Sequence, residues 1–368
     1  MPGPGPDLLL LVDASSPLIL GTRGSALAMA QTHLTLAALR EAVPAGRFEV
    51  REIKTTGDKR QDLSLTRLAP GGHGYDPDAL ARESDTPAPV FEPPVSQPPS
   101  GPLPGRVDPG LFTKELEAEL LAGSISVAVH SLKDLPTVMP DGLKLAAVLP
   151  RADVSDVLIL KPSLGGSLRA LPAGAMLATS SLRRQRQLLW HRPDLHMSEV
   201  RGNVGTRLRK LLAHDGWAGL ILAHAGLARL GYAEALRTGT LEAEGGRFEV
   251  EVLGPDTMLP AVGQGAIGLQ ARADDAHTLA VLSAVNHAPT WQAIIAEREL
   301  LRLLGGGCQL PLGISTRIDP ARERLHLRAV LFTMSGEEPP VFGEEEGPLS
   351  APEFVAGGLA KRLLAPGR

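Results

Sequence analysis

Short apolar runs alternate with longer stretches of helical periodicity along most of this chain. "LILGTRGSALAMAQTHLTLAALR" reads as a brief apolar strand, a turn at Gly21 and a helix capped near Ser25. "RFEVREIKTT" alternates apolar and polar side chains as a strand does. "LFTKELEAELLAG" places Phe112, Leu116 and Leu120 on one helical face and stops at Gly123. The next run, "ISVAVHSL", is almost continuously apolar, which predicts a strand buried on both faces. The rhythm then repeats: "AMLATS" before "SLRRQRQLLW", "MSEVR" before "NVGTRLRKLLA", "AGLILAHAGL" before "ARLG". Strands alternating with helices predict an α/β fold of doubly wound parallel sheets.

Two regions depart from this rhythm. Toward the C-terminus, a helix in "TWQAIIAERELLRLL", strands in "LPLGISTRI" and "RLHLRAVLF", and a helix near "EFVAGGLAKRLL" predict a small separate α+β domain. Residues 75–109 hold ten of the 32 prolines and show neither period. Such a composition buries too little apolar area to offset chain entropy, so a disordered or mobile loop is expected there.

Composition narrows the classes. A chain of 368 residues predicts two or three domains at ~150 residues each. Its 43% hydrophobic and 21% charged residues are those of an ordinary globular protein. One cysteine excludes an internal disulfide framework and fits a reducing compartment. The run Leu8 to Val12 falls far short of the ~20 residues that span a bilayer. No basic residue precedes it, unlike in a secretory signal, so the first sixteen residues read as a loose tail on a soluble, cytoplasmic protein. Net charge is −4, yet residues 183–210 carry eight lysines and arginines against two acids. That patch is either a solvated face or a site for a local anion. With aromatics at 3%, the stacking platforms of a single-strand nucleic-acid binder are missing.

In open α/β sheets, ligands bind beyond the carboxyl ends of the strands, and the notable polar residues fall at such places. "GTR" presents Arg23, and "HSLKD" presents His130, Ser131, Lys133 and Asp134. "TSSLRR" offers Thr179, Ser180 and Ser181 at a helix start, with Arg183 and Arg184 in its first turn; "RGNVGTR" offers Arg201, Asn203 and Arg207. Helix starts bind anions, and arginine adds forked donors suited to carboxylate. Arginines in a first turn oppose the helix dipole, so helix stability is not their expected role. Together these four segments predict a polyanion site. Neither a GxxxxGK[ST] loop nor a strand followed by GxGxxG occurs, and the glycines of "VGQGAIGL" lead into an apolar strand. Dispersed arginines suit several separate carboxylates better than one pyrophosphate. Ten scattered histidines and a lone thiol predict no metal site.

His130 reads as a hydrogen-bonding residue. Asp134, among cations, reads either as an ion-pair partner of Lys133 or a nearby arginine, or as a carboxylate that stabilises a developing cation. Cys308, in "LLGGGCQLPLG", reads either as a small buried side chain or as a modified sulfur for which the glycines leave room.

"GLFTKELE", "VAVHSLKDLPT", "ATSSLRRQRQL", "RGNVGTRL", "LPAVGQGAIGL" and "GGGCQLPLG", in that order, resemble the porphobilinogen deaminase (hydroxymethylbilane synthase) family. The similarity runs from about Leu18 to the final helix, interrupted mainly by residues 75–109. The resemblance implies a transferase that joins four porphobilinogen molecules head to tail into hydroxymethylbilane, releasing ammonia, in tetrapyrrole (haem) biosynthesis. It implies a dipyrromethane cofactor linked by a thioether to the residue matching Cys308. The cofactor would be held by Ser131, Lys133, Asp134, Thr179 and Ser181, and by Arg183, Arg184, Arg201, Gly202 and Asn203. Substrate would meet Arg23, Arg201, Arg207, Arg229 and Gln264, with Asp134 and Lys133 as the catalytic pair.

The implied architecture is two periplasmic-binding-protein-like domains facing a cleft, at residues 17–150 with 266–284 and at 155–259, and a third from 288. A monomer that acts on a small molecule, without nucleic acid or membrane, is expected. After "TTGD", "DLSLTRLAPGGHG" keeps the outline of the family's lid, with Arg67 and His73 where lysines are expected. The proline-rich insertion then separates Gly74 from Gly110. A solute-binding protein for a carboxylated ligand would explain the sheets and arginines but not "GGGCQLPLG".

Overall fold

In the computed structural model, which describes residues 17–55, 113–307 and 310–365, the chain begins with β1 (Leu18–Thr22), α1 (Ala26–Ala42) and β2 (Phe48–Glu52). Next come α2 (Lys114–Leu121), β3 (Val127–Ser131), a 3-10 turn over Leu132–Asp134, and β4 (Leu143–Val148). A second series follows: β5 (Asp156–Leu160), β6 (Met176–Ala178), α3 (Leu182–His191), β7 (His196–Ser198) and α4 (Val204–Ala213). It continues through β8 (Trp217–Ala223), α5 (His224–Arg229), α6 (Ala233–Thr238), β9 (Thr240–Ala243) and β10 (Gly246–Leu253). The chain ends with β11 (Ile267–Arg272), α7 (Ala276–Ser283), α8 (Ala288–Leu303), β12 (Leu312–Asp319), β13 (Arg324–Leu331), β14 (Val341–Pro348) and α9 (Pro352–Leu364). The N-terminal tail, Arg67, His73, the 75–109 segment, Phe112 and Cys308 lie outside the described residues.

These strands form three sheets, ordered β2-β1-β3-β11-β4, β7-β6-β8-β5-β10-β9 and β12-β13-β14. Alternation decides which residues face which helices. In the first sheet Leu18, Leu20, Val127 and Val129 pack with Leu39 of α1 and Val281 and Leu282 of α7. On its other face Ala128 and Leu143 meet Leu116 and Leu120 of α2. The second sheet is likewise covered twice, by Leu208 and Leu211 of α4 on one side and Leu188 of α3 on the other. Both sheets are therefore doubly wound α/β layers. The third packs on α8 and α9.

The expectation of all-parallel sheets needs correction. β11 runs antiparallel between β3 and β4, and β5 runs antiparallel between β8 and β10. Each is the strand that the chain reaches on crossing from the other sheet, which brings it in from the opposite end. The two crossings lie side by side, with Ala152 N donating to Gly265 O at 3.1 Å. Gly265 has φ +82°, and a Cβ there would sit 2.6 Å from Ala152 O, so the crossings approach too closely for a side chain. The fully buried Glu297 of α8 ties this junction to the third sheet. Its carboxylate accepts from Arg151 (2.6 and 2.9 Å), Gly263 N (2.8 Å) and Thr316 of β12 (2.7 Å).

Candidate active site

A cavity of about 360 Å³ opens between the first two sheets, beyond the ends of β1, β3 and β8. Arg23 follows β1, Lys133 and Asp134 sit on the 3-10 turn after β3, and Arg229 ends α5. Arg184 comes from α3, while Arg201, Gly202, Asn203 and Arg207 surround the start of α4. Among the described residues, six cations and one carboxylate line the space.

The start of α4 is built locally. Asn203 caps the helix, its side-chain oxygen accepting from Thr206 N at 2.8 Å. Gly202 takes φ +115°, and a Cβ there would meet Thr206 Cγ2 at 2.6 Å. This tight entry aims Arg207, whose Nε donates to Gly202 O at 2.7 Å, and Arg201, which pairs with Glu199. Burial, with repulsion from Arg184 and Arg201, lowers Arg207 to about 10. Arg207 is thus a desolvated cation short of negative partners. Arg229 donates to Gly265 O at 2.6 Å, and burial lowers its pKa too.

Arg183 and Arg184 differ. Both converge on Asp156, the fully buried first residue of β5. Arg183 Nη1 and Arg184 Nη2 each lie 2.7 Å from its carboxylate oxygens. Arg183 also donates to Leu259 O at 2.6 Å and Arg184 to Ile221 O at 3.0 Å. Burial would push the Asp156 carboxyl up, but the two guanidinium groups hold it well below the usual range. The first-turn arginines therefore do carry a structural ion-pair role, contrary to the dipole argument, because a carboxylate 27 residues upstream offsets their cost.

Gln264, expected on substrate, is buried instead. Its amide donates to Asp156 (3.0 Å) and Val154 O (2.7 Å), and its oxygen faces Lys133 Nζ at 3.5 Å. Thr179 is also buried, accepting from Ser181 N at 3.2 Å, and does not line the large cavity.

Lys133 is half-buried at the cavity wall, and desolvation together with Arg184 lowers it to about 8. Asp134 is exposed on the same wall and forms no ion pair among the described residues, so the simple Lys133–Asp134 salt bridge is not made. Its turn is fastened to α8 by Arg298, which donates to Leu135 O (3.0 Å) and Pro136 O (2.7 Å). Ser131 exchanges a hydrogen bond with Gln31 at 2.9 Å. His130 is buried with Nε2 2.9 Å from Gln270 Oε1, while the Gln270 amide donates to Glu117 at 3.1 Å. Burial, with Arg23 and Arg298 nearby, lowers His130 to about 4, so it is neutral at pH 7.

A smaller cavity of about 60 Å³ is lined by Lys133, Ser181, Arg183, Arg298, Gly307 and Leu310. Gly307 directly precedes Cys308 in sequence, and Leu310 follows it by two residues. Sequence reasoning missed Asp156, Gln31, Glu297 and Arg298. Asp156 alone carried a signal, as the acid that opens the apolar run "DVLIL".

Two doubly wound domains facing an arginine-lined cleft, with one exposed carboxylate, define a protein that handles a multiply charged anion. A family model described as porphobilinogen deaminase, dipyrromethane cofactor binding domain, matches residues 18–75 and 100–280. The porphobilinogen deaminase C-terminal domain matches residues 291–365. The chain belongs to the porphobilinogen deaminase family, and its cofactor is the dipyrromethane of that family. Among curated relatives, porphobilinogen deaminase of Desulforudis audaxviator is 43% identical over 95% of each chain. That of Carboxydothermus hydrogenoformans is 39% identical over 95% of this chain and 94% of its own. A solved arginine-transport periplasmic binding protein from Legionella pneumophila covers 74% of this chain and 92% of its own at 10% identity, with a TM-score of 0.35.

Proposed function

We propose that this protein polymerises four porphobilinogen molecules head to tail into hydroxymethylbilane, with release of ammonia, on a dipyrromethane primer joined through Cys308. The observation that carries the reading is the wall of cations around one exposed carboxylate, in a chain that matches both domains of the family. The residues present suit the primer. Arg183 keeps a buried Nε without a partner, and the small cavity that it lines is also lined by Gly307 and Leu310, within two residues of Cys308. Arg183, Ser181 and Lys133 would hold the primer near its anchor, with Arg184 and Asn203 toward the large cavity. When bound, the dipyrromethane supplies the pyrrole carbon to which the first substrate unit joins.

Each porphobilinogen carries an acetate and a propionate. Arg23, Arg201, Arg207 and Arg229 bind these groups by charge-assisted hydrogen bonds. As the aminomethyl C–N bond breaks, its electron pair leaves with ammonia and the pyrrole becomes positively charged. Asp134 stabilises that charge at the ring nitrogen and accepts the proton shed from the ring carbon once the new C–C bond has formed. Gln264 and Asp156 orient Lys133 and the arginines and do not touch substrate. The family resemblance supports a cytoplasmic monomer acting on this one small molecule.

Intact mass tests the reading. The purified protein should be heavier than its sequence by two linked pyrroles, and Cys308→Ala should have the bare mass and no turnover. A bare wild type without porphobilinogen turnover would favour the solute-binding alternative.

A further inference from the structure

Two uncharged side chains of the large cavity have no role among the groups assigned above. His130 and Thr113 both line the cavity, at 5% and 2% exposure. The Gln270 amide nitrogen donates to Glu117, which turns its carbonyl oxygen toward His130. An amide oxygen only accepts, so Nε2 of His130 carries the hydrogen and Nδ1 keeps its lone pair. Nδ1 makes no hydrogen bond among the described residues. The Thr113 hydroxyl is buried without a partner and does not cap α2. Among the described residues with such an orphaned side-chain atom, Thr113 alone lines the large cavity. Leaving a buried hydroxyl unmet is costly, so a ligand is the natural source of its partner.

An acceptor lone pair on a residue lining a space dominated by cationic donors selects for a donor, and it is uncharged, so it does not select for a cation. We propose that His130 is a further binding residue: its Nδ1 accepts a pyrrole N–H of the bound chain, with Thr113 as the second neutral group of that subsite. Asp134 then need not be the acceptor for every ring. The chain Glu117–Gln270–His130 fixes the tautomer from α2 through β11 to β3, so the acceptor is set before substrate arrives. This inference rests on the cavity being the porphobilinogen site.

His130→Leu and His130→Asn separate this role from a structural one. Both lose the bond to Gln270, but only asparagine can place an acceptor oxygen near the former Nδ1. The KM for porphobilinogen, and the inhibition constant of the same pyrrole lacking its aminomethyl arm, should rise about tenfold in His130→Leu. Both should return close to wild type in His130→Asn, with kcat little changed throughout. Equal impairment of the two variants, or no change in His130→Leu, overturns the inference while wild-type turnover leaves the function standing. A wild type that does not turn over porphobilinogen overturns both.

Discussion

Asp134 and Lys133 are neighbours in sequence with opposite environments. Asp134 is exposed at the cavity wall, whereas Lys133 is lowered to about 8 by desolvation and Arg184. Asp134→Asn should keep its melting temperature and its substrate affinity yet lose most single-turnover rate, since an amide cannot balance a developing cation. Preserved rate constants would reduce Asp134 to a spectator. Lys133 makes activity and stability diverge with pH. Below about 8 it is charged, so kcat/KM should fall as pH rises through that value, and Lys133→Arg should move the limb upward. Between about 8 and 10.5 the unfolded chain holds a proton that the native state has lost, so stability from this group rises over the same window. Parallel loss of activity and melting temperature would count against this assignment. Asp134, Lys133 and the arginines were legible because they end strands in polar clusters. Asp156 and the buried partners of Gln264 were not, because a lone acid or amide in an apolar setting does not announce partners 27 or 108 residues away.

At the scale of elements, α3 and α4 show two uses of arginine. The start of α3 is neutralised by Asp156, whereas Arg207 of α4 faces the cavity with its nearest charged neighbours mostly positive. Asp156→Asn should cost about 3–5 kcal/mol, because it strands two buried guanidinium groups. Arg207→Leu should leave the melting temperature unchanged or higher while weakening substrate binding by roughly ten- to a hundredfold, the loss of one charge-assisted bond. Thermal melts beside KM measurements check both, and equal destabilisation by the two variants would erase the distinction. His224 to Leu227, expected at the end of a strand, instead open α5. Helices α1, α3 and α4 around the site were readable from sequence, and so was β3, a strand buried on both faces. β14 was not: it is an edge strand whose "GEEEG" centre hides the alternation. Nor does periodicity encode strand direction, which is why the reversed β5 and β11 came only from the structure.

For the whole molecule, the decisive arrangement is the pair of crossings sealed by Glu297, Arg151 and Gly265. The cleft is closed at its back by two chain segments instead of one, and both lie against α8. The number of domains was legible in length and rhythm, but this seal was not, since it joins residues 151, 263 and 297. It also orders events during synthesis. The second sheet is drawn from one uninterrupted stretch, β5 to β10, whereas the first waits for β11 to fill the gap between β3 and β4. A ribosome that has released residue 255 has delivered a complete second layer and a first layer with two bare inner edges. The second unit should therefore gain protease resistance first in refolding, with β3–β11 closure later because its partners are so far apart in sequence. Nascent chains arrested before residue 267 should bind chaperones or aggregate through those edges, and release past residue 272 should end that exposure.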